Sequence, residues 1–401
     1  MPPENELLIL SARLTLTPEE SAALTRILEA PLNWSEVKEQ SGRLGVQPLL
    51  YKHLQQKPYA QQVPDSVLKD FQEAYRFQAM RSLRIYAQII QLLEAMNRAS
   101  IPVVLLKGAL LAKWVYVDTA LRPMSDIDIF CREADADSVK KVLFGLGYYQ
   151  QAVYNSPLHE RVFTLKRHMP PFLRERAVPV EVHTNYSKSG PKGMPDMAKT
   201  WEKAVPLTLF GAPCFRLSNE DLLIHLFAHL AKHLETSGTA LYWFCDLYEL
   251  TKLIGSETDW NSFHGKATAL AIQNQIGRVY RFMEAGWKME QGEFLRYSDL
   301  AEKLADNKIA FQHRLFCKGF GRKKELFDYI HNLQSLRQAG EMGSRLYFLG
   351  RYLIPTRENL VSRYNIPNKS ALPFYYVIHP FVLLKRAAAS LIYNVFIARR
   401  S

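Results

Sequence analysis

The sequence predicts an α+β fold: a small mixed β-sheet core with helical regions on its N-terminal and C-terminal sides. Three observations carry this. Ser125 to Phe130 (SDIDIF) alternates acidic and apolar residues strictly, which is the period-two pattern of a strand. Shortly before it, the apolar run Val103 to Leu106 ends at Lys107-Gly108, and a helix-compatible segment, Ala109 to Tyr116, follows. From Pro64 to about Arg98, apolar residues keep near-helical spacing with Arg and Gln between them. Strand, helix, strand, helix and then further strands make a sheet with helices against it.

In chain order, residues 1 to about 60 read as short helices. Thr17 is a helix N-cap, with Pro18 in the first turn and Glu20 three residues after the cap. Leu24, Ile27 and Leu28 supply its apolar face, and Trp34–Glu39 and Val46–Leu54 form two more helices. The long helix that follows presents Val67, Phe71, Tyr75, Met80, Leu83, Tyr86, Ile89, Leu93 and Met96. Its role is structural: it packs on the sheet and delivers the chain to Val103. After Cys131, Ala134–Phe144 reads as a helix stopped by Gly145-Leu146-Gly147. Tyr148–Tyr154, Arg161–His168 and Val178–Tyr186 read as strands. The last of these puts Val180 and Val182 on one face and Glu181 and His183 on the other.

Lys192–Phe215 reads as a connector punctuated by Pro and Gly. A helix then starts at Ser218 and carries His225, His229 and His233 on one face. It has no H-E-x-x-H, so it lacks the base of a metalloprotease. These histidines line a cleft or meet buried polar partners. Asp246 sits in an apolar helix, Tyr242–Leu253, and a carboxylate there needs a partner; His229 or an arginine is the expectation. Helical pattern continues to Cys317. A last helix, Phe381–Arg400, starts at Pro380, and Lys385-Arg386 leaves its apolar run too short to span a bilayer. The expected partition is 1–98, a helical N-terminal region; 99–216, the core; 217–312, a helical domain packing on it; and 313–401, a basic helical region.

The 401 residues carry a net charge of +12. From Arg314 to Ser401 there are 15 Lys and Arg against 4 Asp and Glu, so nearly all of that excess lies at the C-terminal end. Such asymmetry points equally to an anionic partner and to a solvated basic helical surface. The last helix either caps the helical core, the favoured reading, or makes peripheral contact at the inner face of a membrane through residues 374–401. The charge bias lies far from the acidic motif and no recognisable nucleic-acid module is present, which argues against a nucleic-acid partner. The four cysteines are scattered without a C-x-x-C pair, which excludes a Cys-rich zinc module and fits a reducing cytoplasm. No secretory signal pattern opens the sequence.

Chemistry concentrates at Asp126 and Asp128. Alternation places both carboxylates on one strand face, costly unless a cation neutralises them. They read as oxygen ligands for a hard divalent ion. Alone, the pair would more often mean a solvated edge strand; the strand, Lys-Gly turn and helix beside it decide for a site.

This arrangement resembles the nucleotidyltransferase superfold, whose signature is an apolar strand, a Gly turn, a helix and a strand bearing D-x-D. The forms L-K-G-A and R-P-M-S-D-I-D-I are similar to the family-5 nucleotidyltransferase-like proteins. Trp34 with the V-Q-P-L-L-Y run, V-E-V-H-T, the His-rich helix and T-D-W extend the similarity over roughly residues 30–290. The resemblance implies transfer of an NMP from an NTP to a hydroxyl of a small molecule or peptide, with Mg²⁺ or Mn²⁺. Asp126, Asp128 and, as the third acidic position, Glu181 are then the catalytic and metal-binding residues. Gly108 would let the backbone approach the triphosphate, with Lys107, Arg122 and Ser125 also contacting phosphate. His183 and His229 would line the nucleotide or acceptor cleft. The family's turn is Gly-Gly or Gly-Ser; here it is Lys107-Gly108-Ala109. Two other classes stay open: a nucleotide-binding regulatory protein without turnover, and a membrane- or polymer-associated assembly factor.

Overall fold

The structure is a computed structural model that describes residues 1–150, 169–186, 195–236, 240–287 and 369–383, together with 354, 357, 360 and 364. By contacts the chain forms two units: Met1–Gln150 with Val162–Cys317, and Gln151–Arg161 with Lys318–Ser401.

The first unit is α+β. It opens with four short helices, α1 (Pro3–Ser11), α2 (Pro18–Leu28), α3 (Trp34–Leu44) and α4 (Gln47–Leu54). α2 carries the full capping box: Thr17 Oγ1 accepts from the Glu20 N–H, and Glu20 Oε2 accepts from the Thr17 N–H. α5 (Asp65–Arg98) leads to β1 (Val104–Leu105) and α6 (Lys107–Trp114). Next come β2 (Ile127–Phe130), α7 (Ala136–Gly145), β3 (Val180–His183), α8 (Met197–Glu202), β4 (Val205–Leu209) and β5 (Ala212–Arg216). Four helices finish the unit's described part: α9 (Asn219–Thr236), α10 (Leu241–Ile254), α11 (Trp260–Ala269) and α12 (Gln273–Trp287).

The strand order is β3-β2-β1-β5-β4. β2 runs parallel to β3 and antiparallel to β1, and β5 runs parallel to β1 and antiparallel to β4, so the sheet is mixed. Two of its strands come from the stretch expected to be a connector. Its residues form a hairpin with the pairing Leu209↔Ala212. Phe210 and Gly211 both take positive φ, 49° and 83°, the backbone that a two-residue turn between right-twisted strands needs. Pro206 and Pro213 hid these strands from pattern reading. Pro206 is tolerated because β4 lies at the sheet edge. Of the expected strand 148–154 the described residues form a bridge, Tyr149↔Leu173, while residues 151–154 and the expected strand 161–168 lie outside the described residues.

α5 shows where helical periodicity misleads. Met80 and Leu83, expected in its apolar face, are 57% and 66% exposed, while Gln78 and Ser82 are buried. The buried stripe passes through those polar residues because they have work there. Gln78 Nε2 donates to Ser82 Oγ, and Ser82 Oγ donates to the Thr119 carbonyl. Further along, Gln88 Nε2 donates to the Val178 carbonyl at 2.7 Å and its Oε1 accepts from the Val178 N–H at 3.1 Å. Arg81 donates to the Met124 carbonyl. α5 thus grips the segments that lead into β2 and β3 and fixes where their acidic residues emerge.

The apolar faces of α1–α5, the sheet and α9–α12 merge into one continuous core. Trp287 Nε1 donates to the Ala12 carbonyl, and Glu249 accepts from the Leu14 N–H, which joins the ends of this unit. In the second unit, a 3-10 turn at Lys369–Ala371 leads into helical residues 372–383. Pro380 therefore lies within a helix, where a helix start was expected. Residues 384–401 lie outside the described part. Among the described residues, no helix is long and apolar enough to cross a membrane.

Candidate metal and nucleotide site

The site grows from the middle of the sheet. β2 lies between β1 and β3, and its four residues are buried. Ile127 and Ile129 turn into the core, which fixes the register and leaves Asp128 on the opposite face. Pairing in register with β3 brings Glu181 beside Asp128 and His183 beside Phe130. One ligand atom from each of Asp128, Glu181 and His183 lies within 4.8 Å of the others.

Asp128 is the hub. Its Oδ1 accepts from Lys107 Nζ at 2.7 Å and from His183 Nε2 at 2.8 Å. Burial alone would raise its pKa; the Lys107 charge and then the His183 bond outweigh this and hold the carboxyl well below the usual range. Glu181 is half-buried, with Oε2 3.9 Å from His183 Nε2. Asp126 sits just before β2, outside the three-residue group. Burial and then the Asp128 charge push its pKa up to about 6. Ser125 is exposed and donates to Asp126 Oδ1 at 3.1 Å.

The turn before α6 carries the other half. The Leu106 N–H donates to the Asp128 carbonyl at 3.1 Å, which ties the turn to β2. Lys107 takes φ +46°, a left-handed backbone that costs a non-glycine residue about 1–3 kcal/mol. Burial would lower the Lys107 pKa, but Asp128, and after it Glu181 and Asp126, raise it, so the ammonium stays charged. Gly108 is required by close approach: a Cβ there would lie 2.7 Å from both Arg122 Nη1 and Met124 Cγ.

Arg122 was expected to face phosphate. Instead it is 5% exposed, and its guanidinium is committed to Asp246. Nη2 donates to Oδ2 at 2.7 Å and Nε to Oδ1 at 3.1 Å, while the plane stacks 4.5 Å from the Tyr242 ring centroid. Tyr116 Oη donates to the same carboxylate at 2.8 Å. Asp246 thus has an arginine partner, delivered by the turn before β2. The pair clamps α10 beneath the Gly108 turn.

The α9 histidines approach the same cluster. His225 Nδ1 donates to the Tyr186 carbonyl, and burial followed by the Lys107 charge pushes its pKa down to about 3. His229 is held well below its ordinary value by burial and then by Lys107. Its ring and that of His233 lie 5.3 and 4.2 Å from the Trp243 ring, which makes a half-buried aromatic wall. A cavity of about 450 Å³ opens past the carboxyl ends of β2 and β3, lined by Arg132, Thr184, Met197 and Trp201 among others.

Residues 30–285 match the family model described as "Uncharacterised nucleotidyltransferase". The chain belongs to this family. No curated protein and no solved structure matches it.

The donor set, two carboxylates and an imidazole whose ligand atoms lie within 4.8 Å of one another, could hold a divalent ion. Carboxylates suit Mg²⁺ and Mn²⁺, and the imidazole widens the range toward softer metals. Sequence reading assigned His183 to the cleft and did not name it among the candidate ligands; the structure places it in the group that could hold a metal ion. The signal was present in V-E-V-H, where alternation puts His183 on the Glu181 face. What pattern could not supply was the depth of Asp128 in the neighbouring strand, which brings the imidazole to its carboxylate.

Proposed function

We propose that the chain transfers an NMP group from an NTP to a hydroxyl of a small molecule or peptide, with Mg²⁺ or Mn²⁺ at the site. The observation that supports this best is the convergence of Asp128, Glu181 and His183 beside the N-terminus of α6. These three residues would hold the ion, with Asp126 adjacent. A divalent ion there supplies Lewis-acid stabilisation of charge developing on phosphoryl oxygens. The first N–H groups of an α-helix lack intrahelical partners, so those of α6 suit phosphate oxygens. Glu181, with its side chain 31% exposed, is accessible to an acceptor and would take its hydroxyl proton. The acceptor oxygen then bonds to the α-phosphorus as the bond to the β-phosphate oxygen breaks and pyrophosphate leaves. His229, His233 and Trp243 would line the nucleotide or acceptor cleft.

Incubation with each labelled NTP, Mn²⁺ and a metabolite extract tests the reaction. Glu181→Gln is expected to lower transfer about 10²–10⁴-fold, the usual contribution of a general base, and by more than it lowers Mn²⁺–NTP affinity by calorimetry. Undiminished transfer in this variant would remove Glu181 from the mechanism.

A second reading concerns the other unit. Phe374, Val377 and Phe381 share one side of helical residues 372–383 by their spacing, and each is about two-thirds exposed. Together with the basic composition of 313–401, this supports peripheral membrane contact by that segment. Flotation of the chain with anionic liposomes at low salt, lost at high salt and on deleting residues 374–401, is the expected result. No flotation at either salt would end that reading.

A further inference from the structure

Lys107 is an unusual residue for its place. Its backbone is left-handed, which favours glycine, yet it carries a long cationic side chain. That side chain folds back to Asp128 and bonds the same Oδ1 that His183 bonds. The side chain is 16% exposed, against 3% for Asp128, so the ammonium sits at the rim of the buried carboxylate. Any cation held by Asp128, Glu181 and His183 must share that carboxylate with Lys107. Two positive groups at one buried oxygen repel strongly, because little water screens them. The lysine stem has four rotatable carbons and can carry its charge elsewhere. The next place along the turn that can receive an anion is the α6 N-terminus, whose first N–H groups suit a phosphate.

We propose that Lys107 is an internal counter-ion that couples metal and polyphosphate binding. It neutralises Asp128 in the ligand-free chain, yields the carboxylate to a divalent ion, and moves to a phosphate of the incoming ligand. Metal alone then binds weakly, because it must displace a charge that has no new partner. Metal with a polyphosphate binds tightly, because the displaced ammonium gains one. The coupling belongs to the turn: a Gly-Gly or Gly-Ser turn has no side chain that can do this. The inference rests on the metal reading of the preceding section and goes beyond it by giving the order of events a residue.

The test uses the full chain, with Mn²⁺ alone and with pyrophosphate as the probe ligand. Lys107→Met keeps the stem without the charge, and Lys107→Gly suits the left-handed backbone should the Met variant not fold. By calorimetry or the Mn²⁺ electron paramagnetic resonance signal, Lys107→Met is expected to bind Mn²⁺ alone about 10-fold more tightly than wild type, within the 5–150-fold range of typical site coupling. At saturating Mn²⁺, the same variant should bind pyrophosphate more weakly. Mn²⁺ affinity equal to or below wild type in both variants overturns the coupling and leaves the metal site standing. If neither wild type nor the variants bind Mn²⁺ better than Asp128→Asn does, both the coupling and the metal reading fall.

Discussion

Replacing Arg122 by methionine is expected to destabilise the protein by about 3–5 kcal/mol, the usual effect of breaking a buried ion pair by removing one partner. The two side chains are 6% and 3% exposed, so water cannot take over the hydrogen bonds. Among the described residues Asp246 would keep the Tyr116 hydroxyl at 2.8 Å, and a buried carboxylate with a single neutral donor is poorly compensated. Stacking on Tyr242 is lost as well. The double variant Arg122→Met/Asp246→Leu should recover much of the loss, since an apolar pair of similar volume replaces the ion pair without leaving a charge behind. Urea denaturation of the single and double variants measures both effects. A single-variant loss below about 1 kcal/mol, the scale of an exposed pair, would mean that the pair is not closed to solvent. The consequence reaches the site, because Gly108 packs directly on the Arg122 guanidinium.

Asp128→Asn is expected to weaken Mn²⁺ binding at least about 100-fold, the upper end of what loss of a mere outer-shell partner costs a metal site. The same substitution should remove transfer. Asp128 is the most buried of the three acidic residues at the site, Asp126, Asp128 and Glu181, and the one whose Oδ1 joins the lysine and the imidazole. Asn offers a neutral oxygen in its place, with a less favourable field for a dication. Asp126→Asn should do less to Mn²⁺ affinity, since Asp126 stands outside the three-residue ligand group. Calorimetric titration of the two variants separates them. Equal losses would show that Asp126 is as direct a ligand as Asp128, and no loss in Asp128→Asn would sink the site. Asp128→Asn and Lys107→Met change the charge at one contact from opposite ends, so their effects on metal affinity should have opposite signs.

Family membership and the site's acidic strand were both legible in the residues. Strict alternation in Ser125–Phe130 and in Val180–His183 needs no partner to be read, because side chains of a strand alternate whatever lies beside it. The capping box at Thr17–Glu20 and the Gly turn at Gly108 were equally local. Alternation also placed His183 with Glu181, but it does not say which strand lies next door. The parallel register Asp128↔Glu181 is a long-range pairing, and it alone turned His183 from a cleft residue into a member of the metal group. The β4–β5 hairpin escaped for a different reason: its prolines argue against a strand, and for Pro206 only the position of β4 at the sheet edge removes that objection.

What the sequence determined by itself was therefore the set of local conformations and the chemistry available: a D-x-D strand, a V-E-V-H strand, a Lys-Gly turn and a histidine-bearing helix. Tertiary structure decided how the charges were shared among them. Arg122 went to Asp246 and Lys107 to Asp128, although both cations had been expected at phosphate. The physical reason is burial. An ion's partner in water is nearly free to vary, whereas a buried carboxylate must be matched, so the cation that folding brings nearest is claimed by it.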